Sequence, residues 1–208
     1  MDSLTARARE VLDELLEGNE RFRSGKPRCT TYANGELAAL AEKQTPKVAI
    51  VACSDSRVVP EVIFDQPIGS VFASRVPANV ASDSAKWMLE LAVGDFQVPL
   101  VLVLGHSGCL AVGQMLEGDK GGAGGMHRTV VLAAVNRAQS LNPDDLYIAS
   151  VEENAKQTVE HLVRDSYTVR SAIQNGTTSI LGGVYEMKTG LVRILDTSAA
   201  KSSLDQRE

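Results

Sequence analysis

Cys53-Ser54-Asp55-Ser56-Arg57 and His106-Ser107-Gly108-Cys109 are the segments of this chain whose residue types can do chemistry together. The first follows the apolar run Val48-Ala49-Ile50-Val51-Ala52, and the second follows Leu100-Val101-Leu102-Val103-Leu104-Gly105. Each therefore begins where a buried strand should stop. Two thiolates and one imidazole delivered at two strand ends suit Zn²⁺ with its fourth position open to solvent, the mark of a catalytic zinc. Cys109 stands one helical turn past His106, so the pair can converge on the ion with Cys53. Such a site lowers the pKa of a bound water from ~15.7 toward roughly 7. Thiolates donate more electron density than imidazoles, so neighbouring groups must tune that water. Taken singly, a buried cysteine is a small hydrophobe and a strand-end histidine is hydrogen-bonded scaffold; the set carries the reading.

Asp55 and Arg57 share a face in an extended turn, and an arginine fork holds a carboxylate through two hydrogen bonds. Away from a metal this would be a loop ion pair of little worth. Beside one, Asp55 can orient a zinc-bound hydroxide by accepting its proton. With Arg57 turned away, the same carboxylate could swing onto zinc as a fourth ligand and block water. A cysteine-based phosphatase is excluded by spacing: it needs five residues between its cysteine and its arginine, which falls at position 59, two beyond Arg57, where Val59 stands instead. The run Gly118-Asp119-Lys120-Gly121-Gly122-Ala123-Gly124-Gly125 lacks the Gly-Lys-Ser/Thr of a phosphate-binding loop.

The elements that must position these groups are those of one domain. The 208 residues can bury a real core, with 44% hydrophobic and 23% charged residues as in an ordinary globular protein. Lys+Arg 21 against Asp+Glu 26 leaves −5, which offers no basic field for nucleic acid. No apolar stretch approaches the ~18 residues of a membrane span. The opening MDSLTARARE has no signal-peptide core. Three cysteines, two at strand ends, argue for a reducing, cytoplasmic setting over a disulfide framework; Cys29 reads as a spare thiol.

Val11, Leu12, Leu15, Leu16, Asn19 and Phe22 fall at helical spacing over residues 4–23, either packing on the core or forming an arm against a second subunit. A short helix is expected near 35–43, strands at 47–52, 70–74 and 98–105, and a helix from Ser82 to Phe96 with Trp87, Leu89, Leu91 and Ala92 partly inward. A helix should start just after Gly108. Helices at 128–140 and 150–175, a strand from Thr177 to Glu186 and an edge strand from Leu191 to Leu195 complete an α/β fold with a central, mainly parallel sheet. The expected division is a helical arm (1–45), an α/β core (46–197) and a tail (198–208). His127 and His161 have no placed partner and read as surface residues.

With these residues in place, the chain resembles the β-class carbonic anhydrases. The resemblance rests on Cys53-Ser54-Asp55-Ser56-Arg57 with His106-x-x-Cys109, extended by Glu61 to Gln66, Val71 to Arg75, and Gly182-Gly183-Val184-Tyr185-Glu186 with Thr189-Gly190. It implies zinc, one per chain, on Cys53, His106 and Cys109, and a catalytic dyad of Asp55 and Arg57. The activity implied is reversible hydration of carbon dioxide to bicarbonate by zinc-bound hydroxide, a lyase reaction. It further implies a homodimer or tetramer in which Gln66 hydrogen-bonds substrate across the subunit interface. Members that close the site by ligating the aspartate carry a tryptophan where this chain has Ile50, which favours an open site here. Departures from the family pattern are Val76, Leu91 and Leu110. They motivate two other functions: hydrolysis of carbonyl sulfide or carbon disulfide in a more apolar pocket, or a zinc-holding regulatory module without activity.

Overall fold

A computed structural model describes residues 4–28, 34–118 and 124–197. Cys29 lies outside the described residues. Five strands form one sheet in the order β2-β1-β3-β4-β5. They are β1 (Val48–Ala52), β2 (Val71–Arg75), β3 (Leu100–His106), β4 (Ser179–Tyr185) and β5 (Val192–Ile194). All neighbours run parallel except β4 and β5. The helices are α1 (Ala6–Arg23), α2 (Asn34–Glu42), α3 (Pro60–Ile63), α4 (Asp83–Gly94), α5 (Leu110–Leu116), α6 (Gly125–Ser140), α7 (Leu146–Asp165) and α8 (Tyr167–Gln174), with a 3₁₀ turn at Pro77–Asn79.

The unbroken apolar runs of β1 and β3 have a simple cause: both sheet faces are covered. Ala49, Val51, Val101 and Val103 pack with Leu89, Ala155, Val159 and Leu162 from α4 and α7. Val48, Ile50, Leu100 and Leu102 pack with Leu12 and Leu15 of α1 and Ile63 of α3 on the other face. Each fully buried leucine or isoleucine contributes about 1.5–3 kcal/mol. The first helix thus covers its own sheet. Asn19 ties it down: its amide donates to Ile63 O at 3.1 Å and Gly190 O at 2.8 Å, and its oxygen accepts from Val192 N at 2.9 Å. Gly18 allows the approach, since a Cβ there would lie 1.8 Å from Phe64 O.

Three sequence expectations need correction. The helix expected over 150–175 is two helices, because Ser166 is extended (φ −112°, ψ 116°). Its hydroxyl caps Val169 N at 3.3 Å and donates to Glu90 at 2.7 Å, which stabilises a break there. On α4, Trp87 is 68% exposed and Leu91 37% exposed. Ala85, Leu89 and Ala92 face the sheet, and Trp87 stands about 200° around the helix from Ala85. His127 and His161 are half-buried rather than surface residues.

Candidate metal centre and active site

Parallel register brings the two segments together. Ala52 pairs with Leu104, so Cys53 leaves β1 one residue past that point and His106 ends β3 beside it. His106 pairs with Tyr185, which puts Ser107 opposite Glu186. Gly108 then turns the chain with φ +73°, a left-handed conformation suited to glycine, and returns Cys109 to the site at the head of α5.

The Sγ atoms of Cys53 and Cys109 and a ring nitrogen of His106 lie within 4.8 Å of one another, all three residues buried. Two such ligands on one tetrahedral zinc stand about 3.5–3.8 Å apart by the usual bond lengths, so small adjustments would close the set on a single ion. His106 Nδ1 bonds Ser107 O at 2.9 Å. Its Nε2 is buried with no hydrogen-bond partner. A ligand histidine has this form: one nitrogen anchored on a carbonyl, the other waiting for a metal. The sulfurs show the same preference. The hydrogen bond from Cys109, aided by His106, pulls the Cys53 thiol down to about 4 against the opposing effect of burial. The contact with Cys53, then burial, pushes the Cys109 thiol up. The pair thus favours a thiolate at Cys53, the form in which a cysteine ligates a soft dication.

Asp55 stands outside this set. Arg57 donates from its backbone N to Oδ1 at 2.9 Å, from Nε to Oδ1 at 2.9 Å and from Nη2 to Oδ2 at 2.7 Å. Those bonds hold the Asp55 carboxyl well below the usual carboxylate range. Arg57 Nη2 also reaches Gly108 O at 3.2 Å, which links the two segments. A pocket of about 310 Å³ opens beside the sulfurs, lined by Cys53, Asp55, Cys109 and Gln114 on its polar side and by Pro77, Ala78, Leu110 and Ala111 on its apolar side. Gln66 does not line it. That residue is buried, and its amide donates to Phe64 O at 3.1 Å. Nor does Val76 line it: Val76 packs on the core, and the more apolar pocket imagined from sequence reduces to Leu110.

Other residues support the site without having been singled out. Glu186 accepts from Ser107 Oγ at 2.9 Å, and Ser107 Oγ accepts from Met187 N at 3.0 Å. Arg75 donates to the carbonyls of Cys53 and Asp55. Tyr147 donates to Cys109 O at 3.0 Å, and its phenol is pushed up to about 12 by burial and the nearby Cys109. Glu186 and Arg75 stood inside the quoted motifs, but their partners come from other strands. Tyr147 carried no sequence signal.

The sequence model of a family described as carbonic anhydrase matches residues 48–192. Carbonic anhydrase 2 of Mycobacterium tuberculosis is 33% identical over 189 residues, spanning 88% of this chain and 90% of that protein. The carbonic anhydrase of Pseudomonas aeruginosa is 29% identical over 201 residues, 90% of this chain and 89% of its own. Among solved structures, the β-carbonic anhydrase CafA of Aspergillus fumigatus superposes with a TM-score of 0.67 at 30% identity, over 81% of this chain and 86% of that one. The Coccomyxa β-carbonic anhydrase in complex with acetazolamide gives 0.65 at 26% identity, over 90% and 82%.

Proposed function

Because the chain belongs to the β-carbonic anhydrase family and is a zinc enzyme of reversible carbon dioxide hydration, we propose that Cys53, His106 and Cys109 hold its zinc and that Asp55, clamped by Arg57, is its catalytic carboxylate. One observation carries this assignment: two buried sulfurs converge with an imidazole nitrogen that has no other partner. When bound, zinc acidifies a water from ~15.7 toward roughly 7 and so supplies a nucleophile at neutral pH.

The chain's own groups do the rest. Arg57 places two hydrogen bonds on Asp55 Oδ1 and one on Oδ2, so Oδ2 keeps an accepting lone pair. That lone pair takes a hydrogen bond from the nucleophile's O–H and fixes the direction in which its oxygen attacks. Carbon dioxide, being apolar, rests on the wall of Pro77, Ala78, Leu110 and Ala111. The Arg57 fork also keeps Asp55 away from the metal ligands, which is the open arrangement. For Asp55 to serve as a further ligand, Arg57 would have to release both carboxylate oxygens.

Gln66 belongs to the substrate side only if a second copy brings it there, since it does not line its own chain's pocket. The active assembly on this reading is a homodimer or a tetramer, and light scattering on the eluted protein measures it. The free thiols of Cys53 and Cys109 support a reducing compartment, the cytoplasm. Among the described residues, no helix is long and apolar enough to cross a membrane.

Stopped-flow carbon dioxide hydration on Asp55→Ala is the test. Zinc content should remain stoichiometric while kcat/KM falls about 100-fold or more, the scale of a positioned acid–base group. Near-normal turnover in this variant would remove Asp55 from the mechanism.

A further inference from the structure

The hydration reaction releases a proton at every turnover, and that proton must cross from a buried pocket to buffer. Both oxygens of Asp55 are engaged by Arg57, and no imidazole other than the metal ligand His106 stands beside the sulfurs. Pro77, Ala78, Ala111 and Gln114 also wall a second pocket of about 250 Å³, whose far side carries His127. That volume holds several waters at ~30 Å³ each. His127 in turn lines a third pocket of about 200 Å³ on the outer side, with His161, Asp83 and Lys86. We infer that His127, on α6, is the residue through which the reaction's proton leaves, since it lines both the pocket that shares a wall with the zinc pocket and the outer pocket.

The inference rests on the zinc-hydration reading of the site. Solvent in the two pockets would take the proton from the zinc pocket and pass it to a His127 ring nitrogen. The resulting imidazolium gives a proton to buffer on the outer side, and the ring returns to neutrality. Imidazole is the side chain suited to such exchange near neutral pH. His127 lies within electrostatic reach of Asp83 and lines both pockets. The charged groups around it are largely balanced. Asp83 pairs with Lys86 at 2.9 Å on α4, and Arg164 pairs with Asp165 at 2.6 Å on α7, while Arg128 is its neighbour on α6. His161 lines only the outer pocket, and burial, then Arg164, push its imidazole down, which makes it a poorer acceptor.

His127→Gln and His161→Gln, both zinc-loaded, are compared by stopped flow in dilute and concentrated buffer. For His127→Gln, kcat in dilute buffer should fall about tenfold, kcat/KM should stay within about twofold of wild type, and added imidazole should restore kcat with saturation. His161→Gln should keep most of its kcat. An unchanged kcat for His127→Gln in dilute buffer overturns the inference. So does a joint fall of kcat and kcat/KM without imidazole rescue. Failure of the zinc-hydration reading itself would show instead in wild type, as absent turnover.

Discussion

Replacing Glu186 with alanine tests whether the ligand histidine is held from outside the ligand set. Glu186 Oε1 accepts from Ser107 Oγ at 2.9 Å and from Lys188 N at 3.2 Å. Ser107 O in turn holds His106 Nδ1 at 2.9 Å, which aims Nε2 at the sulfurs. A hydrogen bond to a charged group contributes about 1.5–3 kcal/mol net. The ladder bond from Ser107 N to Tyr185 O, 3.0 Å, survives the change, so the segment loosens without coming free. The expected outcome is a 10- to 100-fold loss of zinc affinity, about 1.4–2.8 kcal/mol, which lies within what one lost charged bond can supply. Metal-stripped protein titrated with zinc against a chelator of known affinity measures it, with thermal melting run alongside. Glu186→Gln keeps an acceptor oxygen and should fall between wild type and Glu186→Ala. If Glu186→Ala binds zinc within about twofold of wild type while its melting temperature drops, Glu186 serves the fold alone and the orienting argument is wrong.

Cys109→Ser exchanges a soft thiolate for a hard hydroxyl and should release zinc on dialysis, with metal analysis as the readout; full retention would contradict the ligand assignment. Arg57→Gln bears on pH. Because Arg57 holds the folded-state Asp55 pKa below its unfolded value of ~3.9, the pairing's stabilisation is complete above that value and is lost as pH falls through the lower one. Asp55 thus stays ionised throughout pH 5–9 in wild type, and in Arg57→Gln its carboxyl should titrate closer to the ordinary value by ¹³C NMR; equal midpoints in both proteins would refute the clamp. Gly18→Ala places a Cβ 1.8 Å from a backbone carbonyl. The forced shift of α1 should cost about 1–3 kcal/mol, more than the ~0.5–1 kcal/mol alanine otherwise adds to a helix. Melting should fall by about 2–4 °C per kcal/mol, and an unchanged melting temperature would mean α1 does not pack this closely.

Strands β1 and β3 and the start of α5 were legible because each is a local pattern: an apolar run, then a polar turn. The Cys53 and His106 segments were legible because soft-metal chemistry needs few residue types. The helix break at Ser166 was not, since a serine reads as a break only when Glu90 is there to meet it. The exposure of Trp87 was misjudged because residue type outweighed helical phase, which puts Ala85 inward with the expected Leu89 and leaves Trp87 outside.

What the sequence determined alone is chemical: which side chains can ligate, accept or clamp, and that short apolar runs must be covered on both sides. What only the tertiary structure decided is proximity. The pairing of Ala52 with Leu104 sets Cys53 beside His106, and the pairing of His106 with Tyr185 sets Glu186 beside Ser107. Inter-strand register and helix packing set His127 in the pocket that shares a wall with the zinc pocket and keep Gln66 out of its own chain's pocket. Those distances come from contacts between residues far apart in the chain, and no local pattern encodes them.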